Sequence, residues 1–376
     1  MPRNPGIDAL RGLSILLVVI HHVALRIPLG KTALADFVPK RILSGLGYSG
    51  YEAVFVFFVI SGFLIASHTI ARWGSLARID ARAFYVRRAA RILPCLIALV
   101  TVLAAMHWAG VPNYTIDKPG QSLGGATLSA FGLYLNWYEG RTGWLPGGWD
   151  VLWSLSIEEV FYLGFPLVCL LIRDVRLLAL LLLALALSLP ITRAALDGNE
   201  IWQEKAYLPG MAAIATGVLA ALLADKRPAA WVAACARIVG ACGLVSVWFA
   251  GAELWRAIGN GYMLALTVSA ACLILGLHWR HAAAPRRPFP GLGWLRSMGR
   301  LSYEIYLTHM FVVFALVGVF RAAGEDLRNG FWWHPPAVLL CWLLGAAVAK
   351  GFSDPAEHAL RRRWLKPAPS AAPASA

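Results

Sequence analysis

The chain has 376 residues, 59% of them hydrophobic and only 14% charged, with a mean hydropathy of +0.63 and a formal net charge of +14. A water-soluble globular chain carries roughly a quarter charged residues, so water is excluded as its main solvent. The positive charge does not mark a nucleic-acid binder, because the cations cluster in short connections between apolar runs.

In chain order, an apolar run at 7–23, broken by Asp8 and Arg11, is followed by others such as 177–189, 211–224 and 263–277. They approach or reach the ~20 residues a helix needs to cross ~30 Å of hydrocarbon. They lack the alternation of barrel strands, so helices must satisfy the backbone. The pattern predicts an all-α integral membrane protein of about ten transmembrane helices, near 10–29, 50–70, 91–110, 150–172, 176–193, 207–224, 231–251, 257–277, 301–320 and 336–352. No small-residue cleavage site closes the first run, which reads as a mature span rather than a signal peptide. The apolar stretch 123–137 is short and would upset the alternation if it crossed, so it reads as re-entrant or interfacial. The Gly/Pro/Trp-rich turn at 143–149 reads as an outer mouth of the bundle.

Arg72, Arg78, Arg82, Arg87, Arg88 and Arg91 crowd one connection, and Arg280, Arg286, Arg287, Arg296 and Arg300 another. Cationic loops face the cytoplasm, which puts both termini there. Arg361, Arg362, Arg363 and Lys366 fall inside on this reading, while Asp117, Asp197, Glu200, Glu204, Glu325 and Asp326 fall outside. One membrane domain over 1–366 is expected, with a disordered tail at 367–376. The six cysteines lie in apolar stretches without metal-ligand spacing and read as packing residues, so no metal site is expected.

Ionisable residues inside a membrane are costly, and each needs a partner, a wet cavity or a function. Arg11 and His22 lie eleven residues apart on the first span, ~20° from alignment and ~16 Å along the axis, so they share one face. Asp8 lies one turn before Arg11, close enough to pair with it. The bland alternative is an arginine snorkelling to the surface and a hydrogen-bonded core histidine. The fourth span carries Glu158 and Glu159 together, with Ser154 on the face of Glu158. One of the two carboxylates is expected to face the interior, either with a raised pKa or held ionised by an arginine. On the second span, Ser61 and Gly62 would let another helix approach closely. On the ninth, Ser302, Tyr306 and His309 form one polar stripe beside Tyr303. Arg87, Arg88 and Arg91, ahead of Pro94, stand where a helix enters the membrane, suited either to a bidentate phosphate or to anionic headgroups.

Taken together, these motifs resemble the bacterial membrane acyltransferase type 3 family, which O-acylates surface and secreted sugars. The likeness rests on Ile7-Asp8-Ala9-Leu10-Arg11 with His22, on residues 57–63, on Arg88-Ala89-Ala90-Arg91-Ile92-Leu93-Pro94, on residues 153–162 and on residues 301–309. It departs where Gly50-Tyr51-Glu52 stands for an acidic Gly-Val-Asp with extra spacing before Phe57, and no appended soluble hydrolase-like domain is expected. The resemblance implies ten spans in a bacterial inner membrane. It also implies acyl transfer, most simply of acetyl, from a coenzyme A thioester as co-substrate to a carbohydrate hydroxyl, with no permanently bound cofactor. His22 would be general base or transient acyl carrier, with Glu158 and Asp8 in support. Arg11, Arg88 and Arg91 would hold the donor's phosphates, with Ser154, Tyr303, Tyr306 and His309 completing the donor or substrate site. Membrane lipids, the acyl donor and the acceptor are the expected partners, and nucleic acid is not. A transporter or flippase for a lipid-linked sugar is the rival reading, since intramembrane His, Glu and Arg also build substrate pathways. A sensor or scaffold would tolerate loss of Arg11.

Overall fold

The computed structural model describes residues 3–284 and 290–365. Among them, ten helical stretches are long and apolar enough to cross a bilayer, and no strand occurs. They are numbered α1 (Pro5–Ala24), α2 (Gly50–Trp73), α3 (Ala81–Trp108), α4 (Gly147–Leu171), α5 (Val175–Ala194), α6 (Glu200–Leu223), α7 (Ala230–Ile258), α8 (Gly261–Ala283), α9 (Ser302–Ala322) and α10 (Leu327–Trp364). The expected architecture and count are both observed. Arg286, Arg287, Lys366 and the tail at 367–376 lie outside the described residues.

The boundaries move where capping chemistry extends a helix beyond its apolar run. α1 starts at Pro5 rather than near 10, because the Asn4 side chain accepts from the Gly6 and Ile7 amides at 2.9 and 3.4 Å and proline occupies the first helical position. α3 starts at Ala81 because Asp80 caps it, accepting from the Ala83 amide at 2.9 Å. Arg82, Arg87, Arg88 and Arg91 therefore belong to that helix rather than to the connection before it. α10 is composite: the helix His334–Val348 passes through a π-helical turn, Ala349–Ser353, into the terminal helix Asp354–Trp364.

The stretch 123–137 forms no helix long enough to cross a bilayer. It folds as two short helices, Leu123–Phe131 and Leu135–Thr142, separated where Leu133 takes a positive φ of 61°. The close contact foreseen at Ser61-Gly62 joins α2 to α6 in both directions. A Cβ on Gly62 would lie 2.0 Å from the Ile214 carbonyl oxygen, and one on Gly217 would lie 2.0 Å from that of Val59. Without a hydrophobic drive between helices in lipid, such backbone proximity supplies the dispersion that holds spans together.

Arg3, ahead of α1, and Arg361, in the terminal helix, line the same cavity, so both ends of the described chain meet at one end of the bundle. Toward the other end, the Lys205 ammonium, 1% exposed, donates to Glu139 at 2.8 Å and to Asp150, and stands 3.9 Å from the centre of the Trp144 ring. Glu139 also accepts from the Leu145 amide at 3.0 Å, and Asn136 donates to the Lys205 carbonyl at 2.9 Å. Burial pushes the Glu139 carboxyl well above the usual carboxylate range, with Asp150 adding to the effect and Lys205 opposing it. The cluster ties the segment 135–150 to the start of α6. Removing its cation strands two acids in a dry site, so Lys205→Met is expected to destabilise the protein by about 3–5 kcal/mol. Thermal unfolding of the detergent-solubilised variant measures this, and an unchanged midpoint would refute the assignment.

Candidate active site

A cavity of about 690 Å³ opens at the end where Arg3 and Arg361 lie, walled by α1, α2, α3, α4, α9 and α10. Its size suits a small-molecule ligand. Of the ten residues singled out from the sequence it brings together seven: Arg11, Arg88, Arg91, Ser154, Glu158, Tyr303 and Tyr306. Asp8, His22 and His309 stand outside its lining.

The arginines are held very differently. Arg88 pairs with Glu159 at 3.0 Å and lies 3.8 Å from the centre of the Tyr162 ring, whose hydroxyl bonds Ser61 on α2. Clamped between a carboxylate and an aromatic face, the guanidinium has one orientation, and its buried Nε has no hydrogen-bond partner. Arg91 is surrounded by acids: Glu304 at 2.9 Å, Glu357 at 3.1 Å and Asp354 at 3.7 Å, with the Tyr303 ring centre 5.0 Å away. Glu304, 1% exposed, also accepts from the Ser353 hydroxyl at 2.8 Å, which the π-helical turn of α10 delivers. Arg11 donates to the Ser302 hydroxyl at 2.8 Å and forms no ion pair among the described residues.

One expected pairing is corrected and one left open is resolved. Asp8 is bound by Arg3 at 2.8 Å rather than by Arg11, because Arg3 precedes the Asn4 cap and can fold back over the first turn while Arg11 reaches across to α9. The arginine-bound member of the Glu158-Glu159 pair is Glu159. Adjacent helical residues diverge by about 100°, and the direct ion pair with Arg88 falls to Glu159. Glu158 also borders the cavity and forms no ion pair among the described residues. Glu304, Asp354 and Glu357 were not singled out as partners of the arginines. Glu304 lies inside the stretch 301–309, where a carboxylate next to Tyr303 was an available signal, whereas the acids of the terminal helix read as part of a polar end.

At its deep end, the Ser154 hydroxyl donates to the Tyr306 hydroxyl at 2.7 Å. Beyond Tyr306 the His309 ring lies 5.8 Å away, centre to centre, and His309 Nε2 is 3.3 Å from His22 Nδ1. His22 Nδ1 also meets the Val18 carbonyl at 2.8 Å, and Arg26 donates to the His22 carbonyl at 2.9 Å. The shared face of α1 is thus matched twice on α9, Arg11 with Ser302 and His22 with His309. The arrangement combines an arginine-edged vestibule with a half-buried imidazole one tyrosine and one histidine beyond it. An extended ligand with an anionic end and a reactive end would match that separation.

A family model described as an acyltransferase domain matches residues 4–350, which is nearly the whole chain, and the chain belongs to that acyltransferase family. Arg11, Arg88, Arg91 and the histidine pair all lie within the matched stretch. Among curated proteins it is similar to the peptidoglycan O-acetyltransferase OatA of Listeria monocytogenes, with 26% identity over 55% of this chain and 29% of that protein. It is similar to the O-acetyltransferase OatA of Staphylococcus aureus, with 30% identity over 44% of this chain and 24% of that protein. It is also similar to the putative peptidoglycan O-acetyltransferase YrhL of Bacillus subtilis, with 25% identity over 88% of this chain and 51% of that protein. The chain spans about a quarter to a half of the length of these relatives. No solved structure matches it.

The two adjacent glutamates make opposite predictions. Glu159→Ala leaves Arg88 without its counter-charge and is expected to lower the thermal midpoint, consistent with a loss of about 3 kcal/mol for a broken buried pair. Glu158→Gln should leave the midpoint unchanged. Equal melting of both variants would contradict the division of roles.

Proposed function

We propose that this protein transfers an acyl group, most simply acetyl, from a coenzyme A thioester to a hydroxyl of a cell-surface or secreted carbohydrate. The observation that carries the reading is the succession Tyr306, His309 and His22, in which the tyrosine borders the arginine-edged cavity and each ring contacts the next. The printed names of the relatives, two of them peptidoglycan O-acetyltransferases, favour a glycan acceptor. The protein would sit in the bacterial inner membrane with both termini and the cavity mouth on the cytoplasmic side, where the donor is met.

In this reading, Arg11 donates to phosphate oxygens at the mouth by charge-assisted bonds, beside the guanidinium of Arg88 that Glu159 holds in the cavity wall. Arg91, committed to three acids, acts by fixing the wall rather than by gripping the donor. The pantetheine arm extends inward past Ser154 and Tyr306. His22 takes the proton of the acceptor hydroxyl at Nε2. The oxygen's electron pair forms the new bond to the acyl carbon, the carbon–sulfur bond breaks with its pair going to sulfur, and the thiolate recovers the proton from the imidazolium. Such base catalysis contributes typically 10²–10⁴-fold. Glu158, open to the cavity, supports the cationic groups around the donor.

Purified protein in liposomes, given isotope-labelled acetyl coenzyme A and a soluble glycan acceptor, should yield an acceptor heavier by one acetyl group in mass spectrometry. Movement of the acceptor across the bilayer with no gain in mass would overturn the proposal in favour of transport. His22→Ala is expected to reduce transfer by about 10²–10⁴-fold at normal levels of folded membrane protein. Arg11→Ala should raise the KM for the acyl donor while leaving the thermal midpoint close to wild type.

A further inference from the structure

We infer that His309 is a positioning residue that holds the His22 imidazole and shares its charge, rather than a group that touches either substrate. The inference rests on the reading of His22 as the catalytic base. His309 is 0% exposed, and both of its ring nitrogens are engaged by protein. Its Nδ1 lies 2.7 Å from the Tyr306 carbonyl. A carbonyl can only accept, so in the neutral ring Nδ1 carries the hydrogen and Nε2 keeps a lone pair. That lone pair faces His22 Nδ1 at 3.3 Å. The same logic applies to His22, whose Nδ1 lies 2.8 Å from the Val18 carbonyl and so carries a hydrogen as well. His22 Nδ1–H is therefore shared between two acceptors, and Nε2 is the nitrogen left with a lone pair to accept a proton.

The two acceptors are not equivalent. The Val18 carbonyl already belongs to the hydrogen-bond ladder of α1, whereas the single lone pair of His309 Nε2 points at His22 alone. When His22 gains a proton, the positive charge spreads to Nδ1–H and its bond to the uncharged His309 ring becomes charge-assisted. The fully buried ring leaves no approach for a sugar or a thioester, and the Cys341 thiol on α10 packs 3.8 Å from the His309 backbone carbonyl. Arg26, bound to the His22 carbonyl with its guanidinium 4.8 Å from the centre of the Phe314 ring, and His21, 5.2 Å away between ring centres, are the other ionisable groups beside His22. Neither supplies an anion, so the neutral acceptor on α9 is the group that accommodates the charge.

The test measures steady-state kinetics on reconstituted protein, with labelled acetyl coenzyme A as donor and a soluble glycan as acceptor. His309→Phe, which fills the space without an acceptor, is expected to lower kcat by about ten- to a hundredfold, the range that loss of one hydrogen bond to a charged group implies. The KM for either substrate should stay within about twofold, since only interactions made outside the ground state are lost. His309→Gln, whose amide oxygen can accept at the same place, should recover kcat to within about tenfold of wild type. In a His22→Ala background neither substitution should reduce the residual rate further, because groups acting as a unit are not additive. Thermal midpoints identify any variant that does not fold, and should the phenylalanine variant fail, the glutamine variant decides alone. A raised KM at unchanged kcat, a folded glutamine variant without activity, or a full additional loss in the His22→Ala background would each overturn the inference. Wild-type kcat in His22→Ala alone would instead bring down the reading of His22 as base, whatever His309 does.

Discussion

The cost of an isolated charge in hydrocarbon governs this structure. Two arginines on α3, Arg88 and Arg91, would be prohibitive in the bundle by themselves, and four acids from three other segments converge on them: Glu159 from α4, Glu304 from α9, and Asp354 and Glu357 from the terminal helix. Desolvation raises the stakes of each pair, since a buried ion that loses its partner costs several kcal/mol. Helix rotation and depth are fixed by this matching as much as by apolar packing, which in lipid discriminates weakly between faces.

Neutralising two arginines changes the character of the cavity. The charge left to attract an anionic ligand lies at Arg11 and at Arg300, both of which line the cavity and form no ion pair among the described residues. A vestibule whose walls are largely balanced, with local positive potential at its mouth, draws an anionic group to one point and leaves the rest of the ligand to be guided by shape and hydroxyls. Ser154 and Tyr306 supply those hydroxyls where the cavity ends. The histidine pair beyond them has no carboxylate in contact among the described residues.

Much of this was legible in the amino-acid order. Helical spacing put Arg11 and His22 on one face and Ser302, Tyr306 and His309 on another, and those two faces meet. Hydropathy fixed ten spans because membrane thickness imposes a length on each. The partners across helices were not legible. Spacing within one helix says nothing about its rotation relative to the next, so Glu159 could not be told from Glu158, and Arg3 could not be chosen over Arg11 for Asp8. The acids of the terminal helix escaped for another reason. Hydropathy marks a span as finished when polar residues begin, and α10 carries its structural role on past that point into Asp354 and Glu357.

The π-helical turn Ala349–Ser353 acts as a phase shifter. A π turn accommodates one residue more than an α turn over the same rise, and each residue is worth about 100° of azimuth. Deleting a single residue there would preserve every acid of the terminal helix yet swing all of them around the axis together, away from Arg91. The chain's reading frame for contact, rather than its chemical inventory, is what this short segment encodes, and length variation within it is a route to losing the arginine cluster with no polar residue changed.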